Sequence, residues 1–212
     1  PFQRTGQQAG ALELLREIES TAALAWPGRL FPVHRLDKVT SGILLFARGR
    51  AAATELANHF RYNRVEKVYI ALSNRSPQKK QGRVTGDMQK GRRGAWILNR
   101  SQNNPAVTLF KSAAIPGRMS GLRLYVIRPK TGKTHQIRVA MKSLSAPILG
   151  DPLYGNFALA REWDRTYLHA AAVQFELDGR NYQIHCHPEI GREFLSAEFQ
   201  QIYKTLMPFF KD

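Results

Sequence analysis

Four ionisable side chains fall within five positions at His34-Arg35-Leu36-Asp37-Lys38, and Val39-Thr40-Ser41-Gly42 follows directly. An ionised carboxylate among cations can attack an electrophilic carbon or accept a proton. The segment immediately precedes the apolar run Ile43–Phe46, and loops at the ends of buried strands are where a rigid scaffold holds catalytic groups. The residues alone also permit a solvated loop. A second polar segment is Thr131-Gly132-Lys133-Thr134-His135-Gln136-Ile137-Arg138. Its Gly-Lys-Thr does not make a nucleotide-binding P-loop, because Ile127 stands where the pattern needs glycine. A basic helix N-terminus there still suits an RNA phosphate. His169, His185 and His187 lack the ligand number and spacing of a metal site, so no metal is expected. No G-x-S-x-G elbow is present, and Ser41 is read as a turn or capping residue.

The elements that must position these groups are short. Leu12, Leu15 and Ile18 repeat at helical spacing, in a helix opening at Thr5 or Gly6 and running to about Ser20. Residues 42–47 read as one buried strand, and Ala52, Leu56 and Phe60 as an amphipathic helix. Val68, Ile70 and Leu72 alternate along a strand whose second face carries Lys67 and Tyr69. Residues 73–105 read as polar loops around a short strand at Trp96–Leu98, with further strands at 106–113 and 122–128. Thr134 is expected to cap a helix that buries Ile137, Met141 and Leu144. Asp178-Gly179 joins two alternating strands, and a last helix presents Leu195, Phe199, Ile202 and Leu206. Hairpins outnumber βαβ units. The expected fold is α+β: a mixed, mainly antiparallel sheet flanked by helices.

Charge narrows the partners. The 212 residues carry 32 Lys and Arg against 16 Asp and Glu, a formal net charge of +16. The cations are spread along the chain, which points to a folded basic surface that meets nucleic acid. The single cysteine, Cys186, allows no internal disulfide and suits a reducing compartment. No stretch approaches the ~18 apolar residues of a membrane span. The chain opens on Pro1-Phe2-Gln3-Arg4, with no initiator Met and no apolar signal core.

The segments His34-Arg35-Leu36-Asp37 and Thr40-Ser41-Gly42 resemble the H-R-L-D-x-x-T-S-G signature of the RluA-type RNA pseudouridine synthases. Glu66–Leu72 resembles that family's K-x-Y strand, and Lys130–Arg138 its T-G-[RK]-T-H-Q-[IL]-R segment. Pro147–Gly155 and Leu168-His169-Ala170 follow in the family's order. The resemblance implies isomerisation of uridine to pseudouridine in tRNA or rRNA, by a cytoplasmic enzyme without cofactor or obligate protein partner. It implies Asp37 as the catalytic aspartate, Tyr69 as the active-site tyrosine and Arg138 as the basic partner of Asp37. Arg35 matches the arginine that enters the RNA stack as the base flips out; His34 and Lys67 are placed with the substrate. A cleft across the sheet is implied, with residues 1–212 forming one catalytic domain that lacks the family's leading strand.

That chemistry suits the residues. Glycosidases use two carboxylates, but here the base stays bound and one ionised carboxylate suffices. A base inside a helix must be flipped out at about a few kcal/mol, and a planar guanidinium can fill the gap. The competing readings are a catalytically silent RNA-binding module, for which Asp37 has no use, and a metal-dependent nuclease. With +16 of charge, RNA affinity is expected to fall at least about tenfold between 50 and 200 mM monovalent salt, by filter binding. Affinity unchanged across that range contradicts a phosphate-led interface.

Overall fold

In the computed structural model, residues 10–20 and 29–207 are described. In chain order the elements are α1 (Ala11–Ser20), β1 (Leu30–Pro32), β2 (Ser41–Gly42), β3 (Phe46–Arg48), α2 (Arg50–Arg61), β4 (Glu66–Ser73), β5 (Gln81–Gly86), β6 (Met88–Lys90), β7 (Trp96–Leu98), β8 (Ala106–Ala114) and β9 (Arg123–Pro129). There follow α3 (Gln136–Ser143), α4 (Phe157–Ala160), β10 (Leu168–Leu177), β11 (Arg180–His185) and α5 (Ala197–Leu206). The main sheet runs β11-β10-β4-β9-β8-β5, antiparallel throughout. Its mixed character comes from β2, which pairs parallel with β10.

The central strands β4 and β9 are buried on both faces. Ile70, Ala71, Leu72, Leu124, Tyr125, Val126 and Ile127 are fully buried and join α3 and α5 in one core. A second core gathers Val33, Ala47, Leu56, Val65, Val173 and Phe175, with Ile43, Leu45 and Phe60 packed on it. This smaller core positions the His34–Gly42 segment, because α2 packs on β1, β3 and β10 around it.

Several expectations change. The strand expected over 42–47 is two strands with a break at 43–45: β2 pairs with β10 and β3 with β1. Gly42 is the reason. Its φ is +101°, and a Cβ there would lie 2.2 Å from the carbonyl oxygen of Ala170. The close approach and the left-handed backbone together turn the chain off β10. Residues 81–86, read as loop, form β5, paired with β8. Gly82 and Gly86 removed the side-chain alternation that marks a strand. Helix α3 starts at Gln136 with left-handed His135 (φ +57°) at the N-cap position, not Thr134. Helix α5 is capped by Ser196, whose hydroxyl accepts from Phe199 N–H, so Leu195 precedes it and is exposed. Helix α1 is described from Ala11; the expected start at Thr5 or Gly6 lies outside the described residues.

Gly42 and Gly49 separate crowding from backbone strain: both have positive φ, but nothing lies within 4 Å of a Cβ at Gly49. Gly49→Ala is expected to cost about 1 kcal/mol and Gly42→Ala at least about 3 kcal/mol in urea unfolding. Equal costs contradict the close approach to β10.

Candidate active site

The His34–Gly42 loop, strand β4 and the loop before α3 enclose a cleft of about 420 Å³. Its wall includes His34, Arg35, Asp37, Lys67, Tyr69, Thr134 and His135. Lys67 and Tyr69, two residues apart on β4, both reach it. Of the described residues lining it, Asp37 is the only carboxylate, and the cations are Arg35, Arg61, Lys67 and Lys133.

Asp37 sits in a turn closed by Thr40 N–H donating to its carbonyl at 2.9 Å. Its carboxylate lies 3.6 Å from Nη1 of Arg138, which is 5% exposed while Asp37 is 21% exposed. The closer partner of Arg138 is Asp151. Arg138 Nε and Nη2 donate to its two carboxylate oxygens at 2.7 and 2.8 Å. Asp151 Oδ1 also accepts from the backbone N–H groups of Leu153 and Tyr154. Arg138 is therefore held by Asp151 and offers one further nitrogen to Asp37. Asp151 stood inside the Pro147–Gly155 segment with no role assigned; its neighbour Pro152 and its burial give no periodic signal.

Tyr69 is half-buried, and burial, then the charge of Asp37, raise its phenol well above the usual range. It meets the cleft as a neutral ring and hydroxyl. Burial also lowers Lys67, with nearby Glu66 opposing and Lys130 adding to the fall. Arg35 is exposed, and its Nη2 donates to Thr134 Oγ1 at 2.8 Å, which parks the guanidinium across the rim.

His34 also lines the cleft, but its ring is engaged. Nε2 accepts Leu45 N–H at 2.8 Å, and the ring stacks on Phe60 with centroids 4.4 Å apart. Leu45 lies in the break between β2 and β3, so His34 takes an N–H that has no strand partner. Ser41 is a tie between strands: Arg165 Nη2 donates to its oxygen, and its hydroxyl meets His169 Nδ1 at 2.8 Å. His169 Nε2 then donates to Cys186 O at 2.9 Å. No group of three or more His, Cys, Asp or Glu able to hold a metal occurs among the described residues.

Gln136, buried, folds the basic loop. Its Oε1 accepts from Thr131 Oγ1 and Lys133 N–H, and its Nε2 donates to Val107 O and Thr108 Oγ1. His135 Nδ1 meets the Tyr154 hydroxyl at 2.9 Å, and the Tyr154 ring lies 4.9 Å from the Arg138 guanidinium carbon. Gln136 and His135 lie in the second polar segment, but neither is given a role there. A left-handed residue before a helix leaves no mark in periodicity.

Residues 10–143 match the sequence family described as RNA pseudouridylate synthase. The chain belongs to this family. An RNA pseudouridine synthase of Haemophilus influenzae, itself uncharacterised, is 46% identical over 175 residues, 82% of this chain and 76% of that one. The ribosomal large subunit pseudouridine synthase D of Borreliella burgdorferi is 34% identical over 151 residues, 70% of this chain and 45% of that one. The ribosomal large subunit pseudouridine synthase C of Haemophilus ducreyi is 31% identical, covering 96% of this chain and 61% of that one. The chain thus spans about half of several longer relatives. The solved structure of human RNA pseudouridylate synthase domain containing 1 shares the fold, with a TM-score of 0.71 at 23% identity over 92% of this chain and 85% of that one. The mixed, mainly antiparallel α+β architecture of this RNA pseudouridylate synthase family member is therefore the family's own.

Burial, and next the Lys67 ammonium, push the His34 imidazole down to about 4, against a backbone hydrogen bond at Arg35 that raises it. Between about 6.5 and 4 the unfolded chain binds a proton that the folded chain refuses. His34 thus contributes stability that is full above pH 6.5, falls as pH drops and levels off below 4, by at most about 3 kcal/mol. An NMR titration of the His34 ring is expected to have its midpoint near 4. A midpoint near the ordinary 6.5 overturns the assignment of a neutral, engaged imidazole.

Proposed function

We propose that this chain isomerises specific uridines to pseudouridine within ribosomal or transfer RNA, in the cytoplasm, with Asp37 as the catalytic carboxylate. The observation that carries the reading is a cleft whose described wall holds one carboxylate, Asp37, together with four cations. The cations suit an anionic polynucleotide. One reactive carboxylate suits an isomerisation. A hydrolytic glycosidase would need a second, and Asp151, fully buried, has both oxygens committed to Arg138. The names of the ribosomal large subunit synthases favour ribosomal RNA as the first substrate to examine.

In the proposed reaction the target nucleotide flips into the cleft, and Arg35, released from Thr134, fills the vacated stack. Tyr69 packs its ring against the uracil. Asp37, held by Arg138, acts at the sugar either as nucleophile or as proton acceptor while the C1′–N1 bond breaks. The uracil turns, C5 joins C1′, the C5 proton leaves and N1 gains one, so atoms in and atoms out are the same. No redox step or added group is involved, and the proposed reaction needs no cofactor. Lys67 and Lys133 contribute phosphate attraction.

The test is pseudouridine mapping of total RNA from cells lacking the gene and complemented with wild type or Asp37→Asn. At least one site is expected to vanish on deletion, to return with wild type and to stay absent with Asp37→Asn. Asn keeps the shape but neither attacks a sugar carbon nor accepts a proton usefully. Purified Asp37→Asn is expected to lose at least about 1000-fold in single turnover with RNA affinity nearly unchanged. An unchanged map on deletion overturns the substrate class; restoration by Asp37→Asn overturns the role of the carboxylate.

A further inference from the structure

His135 belongs to the cleft wall, yet nothing in the mechanism above uses it. It sits where the basic loop meets α3, in a left-handed conformation (φ +57°) uncommon outside glycine, though less so for histidine than for most residues. Such strain persists where the surroundings over-determine it, and it gathers at functional sites.

The surroundings are visible. Trp96 N–H donates to the Tyr154 hydroxyl at 2.9 Å, and the same hydroxyl lies 2.9 Å from His135 Nδ1. Tyr154 is 3% exposed, so its O–H proton needs an acceptor within the protein. Were Nδ1 protonated, the tyrosine oxygen would accept twice and its own proton would have no partner. With Tyr154 O–H donating to Nδ1, each group is satisfied and the ring proton belongs on Nε2. That nitrogen has no acceptor among the described residues, and it is the one left to meet a ligand. Burial lowers the imidazole; the Asp37 charge, the next influence in size, raises it, Arg138 lowers it, Asp151 raises it and Arg35 lowers it, with a net fall. The net fall keeps the ring neutral near pH 7, so Nε2–H is a fixed donor that does not compete as a charge with Arg138.

We propose that His135 donates its Nε2–H to a carbonyl oxygen of the flipped uracil and stabilises the negative charge that the base carries while it is detached from the sugar. The inference rests on the pseudouridine synthase reading. When C1′–N1 breaks, its electron pair goes to the uracil and spreads over N1 and the carbonyl oxygens. When C5 bonds to C1′, the base supplies an electron pair again, and loss of the C5 proton with gain of a proton at N1 restores the neutral ring. A donor placed where that charge develops strengthens its hydrogen bond in the transition state. A neutral imidazole serves well, since it offers a proton without repelling the cations that bind RNA. Tyr154 and Trp96 are positioning groups: they act by holding the tautomer and ring of His135.

The experiment uses His135→Gly, which positive φ favours, and His135→Gln, which bears the same backbone strain as the native histidine. Gly has no donor, whereas the Gln amide places an N–H donor where Nε2–H stands. Single-turnover formation of pseudouridine is measured at saturating RNA, beside the dissociation constant for the same RNA. His135→Gly is expected to slow the step about 100-fold, with the dissociation constant within about threefold of wild type. His135→Gln is expected to be at least about ten times faster than His135→Gly. The inference is overturned if His135→Gly stays within about threefold of the wild-type rate, if its loss appears only in RNA affinity, or if His135→Gln is as slow as His135→Gly. A wild-type enzyme that forms no pseudouridine in the same assay overturns the underlying reading instead.

Discussion

The site depends on a buried ion pair, Arg138 with Asp151. Two charges out of water are tolerable only when each is matched by short, well-directed hydrogen bonds. Here the two guanidinium donors take both carboxylate oxygens, and two backbone N–H groups complete the acceptor. The pair joins parts of the chain that share no ladder. Arg138 comes from α3, and Asp151 from the loop after Leu149, whose N–H donates to Leu72 O of β4 and whose carbonyl accepts from Tyr167 N–H. Gly150 lets that loop pass: at φ +70°, a Cβ there would lie 2.0 Å from Arg165 O. The sheet centre, the loop and the helix therefore fix Arg138, and Arg138 in turn faces Asp37.

This arrangement separates the duties of two aspartates by environment. Asp151 is saturated with donors and out of reach of solvent, while Asp37 keeps part of its surface open to the cleft and, among the described residues, has a single, longer ion pair. The first holds an arginine; the second faces the cleft. The same division recurs with histidines. His34 takes the Leu45 N–H and His169 bridges Ser41 to Cys186 O, so both are committed, whereas His135 keeps one nitrogen unspent.

Much of this was legible in the chain. The His34–Gly42 segment stood out by the density of charge beside an apolar run, the resemblance to the H-R-L-D-x-x-T-S-G signature pointed to Asp37 within it, and Lys67 and Tyr69 shared a strand face by simple alternation. The α+β class followed from hairpins outnumbering crossovers. What stayed hidden has physical causes. The break at Ile43–Leu45 comes from the contact of Gly42 with Ala170, 128 residues away, which local pattern does not report. Strand β5 was masked by two glycines and a run of polar residues on an exposed edge. Asp151 looked like any turn residue because its importance lies in a partner from another element. His34 carried the chemistry of a ligand-binding residue, but its nitrogen goes to a backbone N–H that exists only because the strand is interrupted.

The central claim is that Asp37 works because Arg138, locked by Asp151, holds it in place. The direct measurement is the single-turnover rate of Asp151→Asn at saturating RNA, at a temperature where circular dichroism shows the variant folded. Asn keeps the shape and the backbone acceptor but removes the charge that anchors Arg138. The account predicts a rate at least about tenfold below wild type with the dissociation constant for RNA nearly unchanged. A folded Asp151→Asn that forms pseudouridine at the wild-type rate would contradict it.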